Sequence, residues 1–228
     1  MRISEIKKMP QQDFPGGKKD LDAHGKDTTG LKPLPGSKFQ YNIISGDEGP
    51  TIQIWDPEGP DANPGDPHLV GALLTNSAEE YFPLKGAVRV QAITVDEDYR
   101  GQGIANALYK IVLDIMKRPL ISGFEQTPGG RKNWFNISQM PGVEVNGFVK
   151  ILDKDIHSRQ IDLLMGKLGA QYIGQTTNWG RLFRFFAFDI RASKKSKELV
   201  STVRSRLSKI YNEADEIVVG LYAVRGGK

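Results

Sequence analysis

The chain has 228 residues, no cysteine, and 31 Lys and Arg against 27 Asp and Glu, for a formal charge of +4. With 39% hydrophobic and 25% charged residues and no long apolar run, it reads as a soluble globular chain with one core and attachments, which excludes a membrane-spanning or wholly disordered one. The absence of cysteine removes disulfides, thiolate zinc sites and cysteine nucleophiles and fits a reducing compartment, so a cytoplasmic location is expected, while the small net charge does not by itself argue nucleic-acid binding.

Residues 1–36, including "FPGGKKDLDAHGKDTTGLKPLPG", are dense in Gly, Pro, Lys and Asp and lack apolar periodicity. They cannot bury enough surface to offset their ordering entropy, so a flexible N-terminal arm is expected. Its first residues have neither an apolar stretch of signal-peptide length nor a small-residue cleavage pattern. From Ser37 the texture changes. "KFQYNIIS" and "TIQIWD" alternate around "GDEGP" and predict strand, turn, strand. "HLVGALLT" and "AVRVQAITV" predict two more strands, the first preceded by a Pro- and Gly-rich loop.

After "VDEDYRGQG" the period changes from two to about 3.6. Ile104, Leu108, Ile111 and Ile115 form one stripe of an amphipathic helix that Arg118-Pro119 stops, since the proline ring excludes a helical conformation before it. "LISGFEQ" reads as a strand, "TPGGRKNWFNIS" as a turn opening a short helix, and "DIHSRQIDLLMGKLG" as a helix ended by Gly169. "RLFRFFAFDI" is a buried strand by content. The chain closes with a basic amphipathic helix, "SKKSKELVSTVRSRLSKIYNEA", and the alternating "EIVVGLYAVR". The expected organisation is an α/β or α+β domain over residues 37–190, a mixed central sheet flanked by helices, with residues 191–228 a C-terminal helix and strand packed on it.

The stretch Val95 to Tyr109, "VDEDYRGQGIANALY", carries the chemistry. A strand feeding a helix through glycines leaves backbone N–H groups unpaired where the helix dipole favours negative charge, which makes an anion cradle. Gly101 and Gly103 clear side chains from the backbone, and Arg100 can add a charge-assisted contact. A P-loop string occurs nowhere in the chain. A dinucleotide-binding G-x-G-x-x-G begins at Gly101 and Gly103, with Glu125 at a tolerable distance for a ribose, but its third glycine is Asn106 and several strands come first.

What remains is R-x-x-G-x-A, met by Arg100, Gly103 and Ala105 between a strand and an amphipathic helix. It resembles the coenzyme A pyrophosphate loop of the GNAT acyltransferase superfamily, and the flanking "ITVDEDYRGQGIANALY" resembles that family too. "QTPGGRKNW" is similar to a variant among phage-encoded GNAT-like proteins. The resemblance implies a GNAT-like fold that binds acetyl-CoA without a metal. The backbone of Ile93, Thr94 and Val95 would pair with the pantetheine arm, and Arg100, Gly101, Gln102, Gly103, Ile104 and Ala105 would hold the pyrophosphate. Asn133 would touch the cofactor, unless this stretch is a helix start with Trp134 as core filler.

The same resemblance implies N-acetyl transfer to an amine, which needs a base and an acid. Many members carry a glutamate on the strand before the loop, yet "GAVRVQAITV" has no carboxylate. Asp96, Glu97, Asp98 and Glu125 are the substitutes, the first three reading as a solvated loop and Glu125 as the expected base. Where the family often has a tyrosine acid this chain has Met165, so Tyr172 or Tyr109 takes over, with Tyr172 the expected acid, or the site works without an acid, or the protein does not catalyse. His24, His68 and His157 are isolated, at no metal-ligand spacing, and read as structural or solvent-facing. The competing class is a catalytically silent GNAT-like structural or binding module, for example one associated with a virion. Nine basic residues between Arg181 and Lys209 stand against Asp189 and Glu198 and could contact nucleic acid or an acidic partner, or form a solvated helix face. The acceptor and the oligomeric state are not read from the sequence.

Overall fold

A computed structural model describes residues 26–59, 67–78, 82–122, 128–153, 159–178, 180–189 and 218–226. Ten strands form one sheet: β1 (Lys32–Pro33), β2 (Gln40–Ile44), β3 (Thr51–Asp56), β4 (His68–Ser77), β5 (Val88–Val95), β6 (Leu120–Ile121), β7 (Val143–Leu152), β8 (Gln171–Asn178), β9 (Arg181–Asp189) and β10 (Val218–Arg225), in the order β1-β2-β3-β4-β5-β6-β10-β7-β9-β8. Neighbours pair antiparallel except β5 with β6. The helices are α1 (Ile104–Lys110), α2 (Pro128–Ser138) and α3 (Arg159–Leu168). The expected mixed sheet flanked by helices is what the chain forms.

The two faces of the sheet bury separate apolar sets. Ile52, Ile54, Val70 and Leu73 meet Ile104, Leu108 and Ile111 of the α1 region and Trp134 of α2. Phe82, Phe148, Phe185 and Tyr222 cluster separately with Ile121, their rings 4.8 to 6.4 Å apart. At such separations edge-on and tilted aromatic pairs add to simple burial.

Several expectations need refinement. The predicted stripe through Ile115 fails in its last turn, where Ile115 is exposed. Residues Ile111–Ile115 wind as a π-helix, with the Met116 N–H reaching back five residues to the Ile111 carbonyl at 2.9 Å. The wider turn rotates Val112 and Leu113 inward in place of Ile115. The strand expected over "LISGFEQ" is two residues long. The sequence reading places no strand over 143–152 or 171–178, where β7 and β8 lie. The α3 terminus is as expected. Gly169 has φ +58, its N–H bonds the Gly166 carbonyl at 3.1 Å and the Ala170 N–H bonds the Met165 carbonyl at 3.0 Å, the paired bonds of a left-handed helix end.

The two attachments are joined to the sheet wherever they are described. Part of the predicted arm pairs as β1 with β2, Leu34 packs on the main core, and the Asn42 amide donates to the Asp27 carbonyl. At the other end, β10 is an interior strand, in register with β7 over eight residue pairs, Val218↔Lys150 to Arg225↔Val143. The basic helix predicted over 193–214 and residues 1–25 lie outside the described residues. Among the described residues no helix is long and apolar enough to cross a membrane.

Candidate acyl-CoA site

β5 pairs antiparallel with β4 along one side and, among the described residues, at two positions with β6 on the other. Against β4, Thr75 pairs with Val90 while Leu74 pairs with Ala92, so Gln91 is an extra residue, a β-bulge. A bulge bends its strand and sharpens the local twist. On its other side Val88↔Leu120 and Arg89↔Ile121 pair in parallel with β6, and the residues that follow Ser122 lie outside the described ones. The Asp96 N–H bonds the Val70 carbonyl at 3.0 Å. By strand alternation the Thr94 N–H and C=O then also face β4, while those of Ile93 and Val95 face the opposite side, that of β6. Among the described residues no strand pairs with Ile93 or Val95 along that edge.

That edge runs into the loop. Glu97–Tyr99 form a single 3₁₀ turn capped by the Asp96 carboxylate, which accepts the Asp98 N–H at 3.0 Å. Gly101 and Gly103 both have φ +83, a left-handed conformation that costs a side-chain-bearing residue energy. A Cβ placed on either would meet no atom within 4 Å: the requirement for glycine is conformational, and the space before the backbone is open. Gly103 offers no side chain to cap α1, so the first-turn N–H groups of Ile104, Ala105 and Asn106 point out of the helix without a carbonyl ahead of them. Arg100 is exposed beside them, 3.3 Å from the Glu97 carboxylate, and Gln102 donates to the Asp98 carbonyl at 3.1 Å.

A glycine that sequence reasoning did not single out seats this helix. Gly71 pairs with Val95, and a Cβ there would lie 2.6 Å from Ile104 Cγ2. Only a bare Cα lets the first turn of α1 rest on the sheet at the end of β5.

The structure gathers residues 93–95 and 100–105 at one strand end; the remaining predicted site residues fall elsewhere or outside the described residues. The Asn133 side chain hydrogen-bonds the Tyr109 hydroxyl, joining α2 to α1. Tyr109 is buried, 6.1 Å from the Trp134 ring, and burial pushes its phenol far above the ordinary range, the bond with Asn133 pulling it back only in part. Trp134 is core filler, 3% exposed. Tyr172 lies on the edge strand β8, exposed, its hydroxyl donating to Gln175 Oε1 at 3.2 Å. Four strands separate it from β5, about 24 Å at the usual strand spacing. Met165 is buried and supplies no proton. Glu125, His24 and His157 lie outside the described residues.

The acidic loop corrects one expectation. Glu97 and Asp98 are exposed, but Asp96 is 7% exposed and holds His68 Nε2 at 3.0 Å; both belong to the polar cluster described below. Among the described residues no group of three or more His, Asp or Glu could hold a metal. Of the basic stretch, Arg181 and Arg184 are described, on β9, and Arg184 pairs with Asp153.

No family model matches the chain, and no curated protein matches it. Among solved structures it is similar to the ribosomal-protein-S18-alanine N-acetyltransferase of Escherichia coli, at 13% identity over 63% of this chain and 70% of that one, with a TM-score of 0.24. It is also similar to a protein from Bacteroides thetaiotaomicron described as a GNAT-family acetyltransferase, at 12% identity over 84% and 88% of the two chains, with a TM-score of 0.27. At these values the likenesses add nothing to the local geometry.

Proposed function

We propose that the chain binds an acyl-CoA, acetyl-CoA in the first instance, along β5 and transfers the acyl group to an amine. The observation that carries this reading is the pair of left-handed glycines and the uncapped start of α1 at the end of β5, next to a stretch of that strand, Ile93 to Val95, whose main chain meets no strand on the β6 side among the described residues. An extended amide-bearing arm can pair with the edge at Ile93 and Val95 as an added strand does. A diphosphate attached to that arm would then reach the N–H groups of residues 101–105, with Arg100 adding charge. The match to R-x-x-G-x-A supports the same ligand, because the residues that fit the motif are the ones that make this geometry.

Transfer requires the incoming amine to lose a proton as its nitrogen attacks the thioester carbonyl, and the sulfur to leave as a thiol. Glu125, four residues beyond Ile121, the end of β6, in sequence, is the proposed base. Tyr172, four strands away from β5, is out of reach of a sulfur leaving from a thioester held along β5 and is given no proton-donating role. A second reading, an acyl-CoA-binding module without transferase activity, is favoured by buried Met165 and by the lack of a carboxylate in residues 86–95. No observation on β9 favours nucleic acid as partner over this ligand.

Calorimetric titration of acetyl-CoA and CoA tests the first step, with Gly103→Glu as control because its carboxylate would occupy the ground before the amides. Saturable binding that the control abolishes supports the site, and no binding by the unmutated protein refutes it. Thiol release over a panel of amines then separates transferase from silent module.

A further inference from the structure

Behind the loop, on the side of β3 and β4, lies a polar cluster that the acyl-CoA reading does not use. His68, the first residue of β4, and Asp96, just after β5, are each 7% exposed, with Nε2 and Oδ2 3.0 Å apart. The other Asp96 oxygen caps the 3₁₀ turn at the Asp98 N–H. Tyr99, the last residue of that turn, lies against the His68 ring, centroids 5.7 Å apart and planes 30° apart. Its hydroxyl donates to Asp56 Oδ2 at 3.0 Å. Asp56, 1% exposed, also accepts Lys38 Nζ at 2.7 Å and the Glu58 N–H at 3.1 Å. Gly59 packs closely against the pair, since a Cβ there would fall 2.3 Å from His68 Cβ and 3.3 Å from the Tyr99 hydroxyl.

A histidine and two carboxylates removed from water are costly unless paired and hydrogen-bonded. Such a network stabilises little more than an apolar packing would; what it does well is fix one arrangement. Here the arrangement it fixes is that of the turn leading into the glycines. The Tyr99 carbonyl accepts the Gln102 N–H at 3.3 Å and the Glu97 carbonyl accepts the Arg100 N–H at 3.2 Å. Any displacement of Tyr99 is therefore passed directly to the main chain of residues 100–103.

We infer that His68, acting through Asp96 and Tyr99, is a positioning residue for the phosphate-facing amides of residues 101–105, so that it governs affinity for the diphosphate half of the ligand and not for the pantetheine half. The inference rests on the acyl-CoA reading. The pantetheine edge is held by β4–β5 pairing, which His68 does not enter at Ile93 or Val95.

The test uses the full chain and three variants. His68→Phe keeps an aromatic ring and removes the donor to Asp96, His68→Gln keeps a donor at the place of Nε2, and Tyr99→Phe removes the hydroxyl from Asp56. CoA is titrated by calorimetry and pantetheine by ligand NMR at millimolar concentration. Expected is a loss of CoA affinity of about tenfold in His68→Phe and Tyr99→Phe, the scale of one charge-assisted hydrogen bond, with pantetheine unchanged and His68→Gln restored to near wild type. Equal losses for both ligands, or no loss for CoA, overturn the inference. Hydrogen exchange in the ligand-free proteins supplies an independent readout: amides 98–106 should exchange at least about tenfold faster in His68→Phe while those of β7 and β10 hold their rates, and unchanged loop exchange also overturns it. If the wild-type protein binds no CoA, the acyl-CoA reading falls, and the exchange experiment still decides whether His68 sets the loop.

Discussion

The seat of α1 can be tested by adding one methyl group. In Gly71→Ala the new Cβ lies 2.6 Å from Ile104 Cγ2, whereas carbon atoms in favourable contact are about 3.5–4.0 Å apart. The helix start or the β4 backbone must therefore give way by about 1 Å, and overpacking of this kind costs about 1–3 kcal/mol. For a chain of this size each kcal/mol lowers the melting midpoint by about 2–4 °C. Ile104→Ala removes the colliding atom but leaves a cavity, at a cost of about 2–5 kcal/mol alone. The two changes share one contact, so the double variant should be destabilised by less than their sum, by about 1 kcal/mol or more, within the range measured for touching residues. Urea unfolding, with midpoint and slope both fitted, measures the cycle. CoA titration of Gly71→Ala measures whether lifting the helix displaces the amides, and weaker binding is expected. Gly103→Ala makes the contrasting case. It meets no atom, and its cost, about 1–2 kcal/mol, comes from φ +83 alone. Additivity of Gly71→Ala with Ile104→Ala to within about 0.5 kcal/mol, or unchanged CoA affinity in Gly71→Ala, would refute the claim that this glycine sets the cradle.

Burial pushes the Asp56 carboxyl up, but the bonds from Lys38, the Glu58 N–H and Tyr99, with the charge of Lys38, outweigh it and hold the pKa below the usual carboxylate range. Its stabilising contribution is therefore complete above the unfolded value of about 3.9 and is lost as the pH falls through the lower folded value; Asp56→Asn should flatten the acid limb of stability against pH below about 4. Tyr99 has the opposite sign: burial, the bond to Asp56 and the neighbouring carboxylates push its phenol up to about 12. Its contribution holds below the unfolded value of about 10 and fades as the pH rises toward the folded one, a limb that denaturation of Tyr99→Phe should lack. Gly147→Ala places a Cβ 2.2 Å from the Phe188 ring, so its unfolding free energy from urea titration should fall by about 3 kcal/mol, and a midpoint within error of wild type would contradict the β7–β9 packing. If thiol release is observed, Glu125→Gln should abolish it while Tyr172→Phe keeps the wild-type rate; a hundredfold loss in Tyr172→Phe would place the acid on β8 after all.

The loop half of the candidate site was legible because it is local. Arg100, Gly101, Gly103 and Ala105 lie within six consecutive residues, and their requirements, φ +83 at both glycines and a small residue in the first turn, follow from backbone conformation that neighbours in sequence dictate. Gly71 and Gln91 were not legible, because neither has a local requirement. Gly71 is defined by Ile104 lying across it, and Gln91 by a mismatch of register between two strands. The network of Lys38, Asp56, His68, Asp96 and Tyr99 failed for the same reason: its members span 61 positions and meet only when β3, β4 and the end of β5 are side by side. Asp96 illustrates the ambiguity, since "DED" in sequence does not say which of three carboxylates turns inward. Local pattern also misjudged the end of α1, where one π turn rotates the stripe and leaves Ile115 in solvent, and the last strand, whose alternation is plain but whose insertion between β6 and β7 is set by long-range pairing.

The bulge and the buried network complement each other along β5. A bulge alone would bend β5 at Gln91 but leave the following loop to wander, since a bulged strand gains twist. The network alone would hold a loop with no strand edge aligned to it. Between Gln91 and Asp96 the strand stays paired to β4 residue for residue, from Ala92↔Leu74 to Val95↔Gly71, so the edge at Ile93 and Val95 and the fixed turn are referred to the same neighbour. β4 thereby supplies three things at once: the register mismatch that bends β5, the bare glycine under Ile104, and His68 under Tyr99. An arm and a diphosphate linked in one ligand need their two sites at a constant separation, and a single strand carrying all three determinants provides it. This is why changes in β4, which would touch no ligand atom, are expected to be the most informative about what the loop is for.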